Sequence, residues 1–196
     1  MNNGLDLSAV LQASPPSDPT RRVYVNRNLD MREIQAIGFD MDYTLVQYKQ
    51  RALDELTVEK TVEKLIESFG YSEELRDINV DYDFIIRGLI VDKKTGHICK
   101  VDQNRVVGRC YHGYQAVSKE ERISLYGSKP ISLSSDRFIR VDTLFSLPES
   151  TLMAGIIEHY KRKGESLPMS PGDLCMNIRY AIDEAHCDNT LKAEII

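Results

Sequence analysis

Apolar positions along this chain alternate between the spacing of a helix and that of a strand. Val58, Val62, Leu65, Ile66 and Phe69 recur every three or four residues, which predicts an amphipathic helix over Thr57 to Ser68, stopped at Gly70. Leu152, Ile156 and Ile157 repeat the pattern between Pro148 and Lys163. There proline sits in the first turn, Lys161-Arg162-Lys163 at the negative end of the dipole, and Gly164 at the stop. Ser170-Pro171-Gly172-Asp173 opens a last helix, serine as cap and proline first, that runs to His186 and can resume after a break near Asp188-Asn189. Ser118-Lys119-Glu120-Glu121 has the spacing of a capping box and opens a short helix.

Between these stretches the residues from Phe84 to Gln115 are β-formers. Ile85-Ile86, Leu89-Ile90-Val91, Ile98, Val101 and Val106-Val107 are separated by turn-like Lys93-Lys94-Thr95-Gly96 and Asp102-Gln103-Asn104. The pattern predicts two or three antiparallel strands in a meander. Phe138 to Leu144 is a further strand candidate. Near the N-terminus, Arg21 to Asn26 alternates like a short strand or extended lead-in, and Ile34 to Phe39 reads as a buried strand. Residues 1–20 read as a tail, because Ser14-Pro15-Pro16-Ser17-Asp18-Pro19 sustains neither a helix nor an inner strand.

Composition narrows the setting. The 196 residues suffice for one domain, with or without an insertion, and are 42% hydrophobic and 28% charged, as in ordinary soluble proteins. A net charge of -5 argues against a general nucleic-acid binder, which carries a basic face. No apolar run approaches the roughly 20 residues of a membrane span. Met1 to Asp6 lacks the basic-then-apolar order of a secretory signal. Cys99, Cys110, Cys175 and Cys187 show neither C-x-x-C nor zinc spacing. Without a signal they are read as reduced thiols in a cytoplasmic protein.

The chemistry-bearing stretch is Gly38-Phe39-Asp40-Met41-Asp42-Tyr43-Thr44-Leu45. In an extended segment Asp40 and Asp42 point the same way, and two carboxylates at one spot need a cation or a shared proton. Three readings arise: a phosphoryl-transfer site, a calcium loop, or two solvated acids. The calcium loop fails, since Leu45 stands at its sixth position, where glycine is needed, and Arg51 at its twelfth, where glutamate is needed.

The stretch Phe39 to Leu45 resembles motif I of the haloacid-dehalogenase-like phosphohydrolases. The wider pattern resembles the cytosolic purine 5′-nucleotidases and their 5′-nucleotidase-domain-containing relatives. It runs through Arg22 to Leu29, Arg87-Gly88-Leu89, Lys100-Val101-Asp102, His112-Gly113-Tyr114, Asp142 to Glu149 and the last helix. The resemblance implies Asp40 as nucleophile and Asp42 as acid and base, with Mg²⁺ held by the Asp40 carboxylate and the Asp42 carbonyl. It implies a purine nucleoside monophosphate as substrate. It leaves room for a homo-oligomer.

On the last helix, Arg179, Asp183 and His186 share one stripe, beside an apolar stripe of Ile178, Ile182 and Ala185. Spacing alone favours a solvated helix face with a weak Arg–Asp pair. The resemblance makes these three, with Lys192, Tyr114 and Gln115, the nucleoside-binding set. This chain has Tyr-Gln where better-known relatives have Phe-Asn, which keeps a ring able to stack on a purine. His112 is left outside the set.

The fold expected from these features is α/β: a haloacid-dehalogenase-like Rossmann-type core, incomplete in this chain, with an inserted α+β cap. Residues 1–20 would be a tail, 21–80 the first part of the core with its D-x-D-x-T motif, and 81–196 the meander and helical cap. No later apolar strand followed by Asp-Asp is present, so the chain alone is expected to hydrolyse nucleotides poorly. The alternatives are a non-catalytic nucleotide-binding relative, or a phosphatase of the same superfamily with another substrate.

Overall fold

The structure, a computed structural model, describes residues 18–21, 24, 26, 30, 32 and 34–195. Residues 1–17 of the expected tail, and Arg22, Val23 and Val25 of the Arg21–Asn26 segment, lie outside the described residues, while Pro19–Arg21 forms a 3-10 turn. The chain divides after Leu45 into two compact units.

In the first unit the segment expected to be a buried strand is neither. Residues 34–41 carry no strand ladder. Ile37 is 63% exposed and Phe39 70% exposed, and Ile34 and Met41 are exposed as well. The apolar pattern is present, but an inner parallel strand exists only with hydrogen-bonded neighbours and helices over both faces, and residues 34–39 pair with no strand among the described residues.

The second unit is a mixed α/β layer structure. Its sheet has five strands: β1 (Leu89–Asp92), β2 (His97–Val101), β3 (Val107–His112), β4 (Gln115–Ala116) and β5 (Phe138–Val141). Their order is β4-β3-β2-β1-β5, every pair antiparallel. The first four form the expected meander, with four strands where two or three were expected. β5 returns to the far edge, Leu89 opposite Val141 and Asp92 opposite Phe138.

Five α-helices accompany the sheet: α1 (Gln50–Glu67), α2 (Lys119–Tyr126), α3 (Leu147–Lys163), α4 (Pro171–Cys187) and the short α5 (Lys192–Ile195). α3 and α4 begin and end where capping chemistry places them. Ser170 accepts the Asp173 N–H at 3.1 Å, and Gly164 closes α3 with a left-handed φ of 70°. Ser118 caps α2 in the same way, accepting Glu121 N–H at 3.1 Å. α1 starts seven residues earlier than its apolar stripe suggests. Its extra turns carry i,i+4 side-chain pairs, Gln50 to Asp54 at 2.7 Å and Arg51 to Glu55 at 2.6 Å, which support a helix without an apolar face.

The sheet is buried on both faces because its side chains alternate. Leu89, Val91, Ile98, Ile139 and Val141 face the main core, built with α1, α3 and α4. Ile90, Cys99, Cys110 and Phe138 face a smaller core with Tyr126 of α2. α3 is the central helix, with residues 150–158 all buried.

Asp92 also points into the smaller core and is fully buried. Arg137 Nε and Nη2 donate to its two oxygens at 2.8 and 2.6 Å, Tyr126 Oη and Thr95 Oγ1 each donate at 2.8 Å, and Lys94 N–H at 3.0 Å. This network ties the β1–β2 turn to α2 and to the strand entering β5.

Candidate active site

The acidic pair lies in the first unit. Asp40 is exposed and Asp42 half-buried. The chain turns directly behind Asp40: the Met41 carbonyl accepts N–H groups from Thr44 at 3.3 Å and Leu45 at 3.0 Å. Tyr43 takes a φ of 58° inside that turn. A non-glycine residue in the left-handed region is uncommon, and such positions cluster at functional loops. The Thr44 backbone N–H thus helps to close the loop.

The other six expected site residues belong to the second unit. Arg179 lies on α4, where its Nη2 donates to both oxygens of Glu149 on α3, at 3.0 and 3.1 Å. Burial works against the Arg179 charge, but Glu149 and, further off, Asp183 outweigh it and raise its pKa. Cys175, one turn before, donates to Glu149 Oε1 at 3.6 Å, and burial pushes its thiol up to about 12. Asp183, His186 and Lys192 are exposed. The stripe of Ile178 and Ala185 is buried as expected, with Ile182 half-buried.

Tyr114 and Gln115 lie together at the β3–β4 turn. The Tyr114 N–H donates to Glu158 Oε2 of α3 at 3.1 Å, and its hydroxyl accepts the Asp81 N–H at 2.9 Å. Its ring meets Phe84 edge-on, with centroids 5.1 Å apart. Burial raises the Tyr114 pKa, so the hydroxyl stays protonated at neutral pH. Gln115 is exposed. Residues 149 and 158 of α3 differ by two and a half turns. Arg179 and the Tyr114 backbone therefore meet α3 half a turn out of phase.

Gly113 permits that approach. With φ at 60°, it lies so close to α3 that an added Cβ would stand 2.7 Å from Glu158 Oε2 and 3.1 Å from Glu158 Cα. Gly113→Ala should lower stability by about 1–2 kcal/mol from the left-handed backbone alone, with more from displacing Glu158. Urea unfolding of the variant checks this; an unchanged midpoint would show that the turn relaxes freely.

Two carboxylates that sequence reasoning missed, Glu149 and Glu158, hold Arg179 and Tyr114 in place. Glu149 was within reach as the residue after Pro148 in the quoted Asp142–Glu149 stretch. Glu158 carried no local signal. His112 meets His97 edge-on at 5.3 Å, and its buried Nδ1 has no hydrogen-bond partner among the described residues. Burial lowers the pKa of both histidines.

For a metal, Asp40 offers a carboxylate oxygen and Asp42 a backbone carbonyl, the oxygen donors that Mg²⁺ prefers. Among the described residues no group of three or more His, Cys, Asp or Glu side chains gathers to hold an ion. The pair therefore falls short of a complete shell. Among the described residues no helix is long and apolar enough to cross a membrane.

Comparison with known proteins agrees with the motif. The family model described as the 5′ nucleotidase family matches residues 23–196. A 5′-nucleotidase domain-containing protein of Dictyostelium discoideum is 33% identical over 98% of this chain and 32% of its own length. The 5′-nucleotidase domain-containing protein 2 of Homo sapiens is 31% identical over 84% of this chain and 33% of its own length. That of Rattus norvegicus is 30% identical over the same share of this chain and 31% of its own length. The chain thus spans about a third of the length of the curated relatives it matches, and it belongs to the 5′ nucleotidase family.

Proposed function

We propose that this chain carries the nucleophile and part of the nucleoside-binding face of a 5′-nucleotidase-type phosphohydrolase acting on purine nucleoside 5′-monophosphates. The observation that carries this reading is the Asp40-Met41-Asp42-Tyr43-Thr44 turn, a tight acidic loop behind an extended segment, inside the stretch that matches the family. In this reading residues 21–80 open a haloacid-dehalogenase-like Rossmann-type core and residues 81–196 form its inserted cap, in a cytoplasmic protein able to self-associate.

Asp40 would attack the phosphorus, forming an aspartyl phosphate as the bond to the nucleoside 5′-oxygen breaks. Asp42 would give its proton to that leaving oxygen, and then take one from the water that cleaves the aspartyl phosphate. Mg²⁺ on this acidic pair would offset the charge between carboxylate and phosphate. The Asp40 carboxylate and the Asp42 carbonyl would leave its shell to be completed by water or by groups outside the described residues. Tyr114, Gln115, Arg179, Asp183, His186 and Lys192 would hold the base and ribose. Arg179 Nη2 is engaged by Glu149, and the guanidinium has further N–H donors for an acceptor group of the ligand.

A second reading is a nucleotide-binding relative without turnover, which keeps the Tyr114, Arg179 and Asp183 set, with Arg179 positioned by Glu149. Both readings are tested by titrating the chain with IMP and a sugar phosphate while measuring phosphate release. The expected result is IMP binding that weakens about tenfold in Arg179→Ala, the scale of one lost charge-assisted contact, with phosphate release near background. Equal affinity for the sugar phosphate would sink the nucleoside assignment. Brisk magnesium-dependent release, abolished in Asp40→Asn, would overturn the expectation that this chain is a poor catalyst by itself.

A further inference from the structure

Cys99 of β2 stands directly opposite Cys110 of β3. Both side chains are buried free thiols, on the same face of the sheet, in the smaller core. The Cys110 carbonyl accepts the Val117 N–H at 3.0 Å, on the β4 side. A strand residue sends its N–H and its C=O to the same edge, so Cys110 faces Cys99 as a non-hydrogen-bonded pair. Such pairs bring Cα atoms to about 4.5 Å, inside the roughly 4.4–6.8 Å that a disulfide bridges. The register shift between these strands begins only past Lys100, so the two cysteines keep regular pairing. Each thiol perturbs the ionisation of the other.

We propose that Cys99 and Cys110 are a reversible cross-strand dithiol, closed to an intramolecular disulfide by exchange with a small disulfide of the oxidised-glutathione class. The Cys110 thiolate attacks one sulfur of the oxidant, forming a mixed disulfide and releasing one small thiolate. The Cys99 thiolate then attacks the Cys110 sulfur, and the second small thiolate leaves. Two protein thiols are oxidised and one small disulfide is reduced. The two protons shed by the cysteines end on the two small thiols.

Cys110 goes first because β3 is covered on its outer edge by the two-residue β4, whereas Cys99 lies between β1 and β3. Burial pushes the Cys99 thiol up to about 12 and raises that of Cys110, so reaction waits on local opening of the β3–β4 edge. Closure would draw Cys99 Sγ from its 3.7 Å contact with Tyr126 Oη. It would also lock β2 to the strand that presents Tyr114 and Gln115.

The test uses the full chain carrying Cys187→Ser, which removes the exposed thiol. It is equilibrated in graded glutathione buffers, acid-quenched, alkylated and peptide-mapped. The linked Cys99–Cys110 peptide should be half-formed at an oxidised-to-reduced glutathione ratio at least about tenfold lower in the native chain than in urea, because the fold pre-pairs the sulfurs. An equal ratio in both states would overturn the proposal. So would a lasting glutathione adduct on Cys110, or thiols that survive the most oxidising buffer. In Cys110→Ser, Cys99 should stay unmodified in the native chain; an adduct there would overturn the order of attack.

Discussion

Asp92→Ala should lower the stability of the second unit by about 3–5 kcal/mol, the range for removing one partner of a buried charge pair. Asp92 has no exposed surface, and five donors converge on it. Alanine would leave the Arg137 guanidinium, the Tyr126 and Thr95 hydroxyls and the Lys94 N–H without their acceptor at once. The Arg137 side chain is 32% exposed, so it can turn partly to water, which sets the lower end of the range. Asp92→Asn keeps the shape but places an amide where donors already point, so it should recover only part of the loss. Equilibrium urea unfolding checks both, and a loss under about 1 kcal/mol for alanine would mean that the network contributes no net stability.

The same group sets an acid limit. Burial raises the Asp92 pKa, but Arg137, Tyr126, Thr95 and Lys94 outweigh it and hold the carboxyl below its ordinary value. Its folded pKa is therefore below its unfolded one. The contribution is complete above the unfolded value of about 3.9 and is lost as pH falls through the folded value. Stability of the parent chain should drop below about pH 4, and the Asp92→Asn variant should show a shallower fall.

Leu152→Ala should cost about 2–5 kcal/mol, in the upper half of that range. Leu152 is fully buried in the middle of α3, in one cluster with Val62 and Leu65 of α1, Val91 and Ile98 of the sheet, and Ile178 of α4. Three layers meet there, so no single side can collapse into the vacated space without opening another contact. Alanine is the better helix former, so the loss measures packing with propensity working against it. Leu152→Met keeps the volume and should cost under about 1.5 kcal/mol. Similar losses for the two variants would show that shape, rather than the cavity, governs the site.

The parts of the fold legible in advance are those whose signals are local. Serine at 170 and proline at 171 cap α4 through contacts within three residues, and Gly164 ends α3 through its own φ. The meander from Leu89 to Ala116 follows from β-formers punctuated by short turns. α1 was placed too short because its first two turns are held by polar side-chain pairs rather than an apolar stripe. The pairing of β5 with β1 joins residues about fifty apart in sequence, and no local pattern encodes such a partner.

The candidate site divides in the same way. Asp40, Asp42 and Thr44 are legible as candidates from their spacing, two carboxylates two residues apart behind an apolar run. The Arg179–Glu149 pair and the Tyr114–Glu158 bond were not, since each joins residues at least thirty apart. What the sequence by itself determined is the family, the acidic motif and the helix ends marked by Ser118, Gly164 and Ser170, all written in side chains a few residues apart. Tertiary structure alone decided that Ile34–Phe39 is exposed and that Asp92 anchors the smaller core. It alone decided that Cys99 faces Cys110, and that Arg179 and Tyr114 are each held by a carboxylate of α3. Burial and pairing depend on which distant surfaces meet, and hydrophobic pattern specifies only that a surface should be covered.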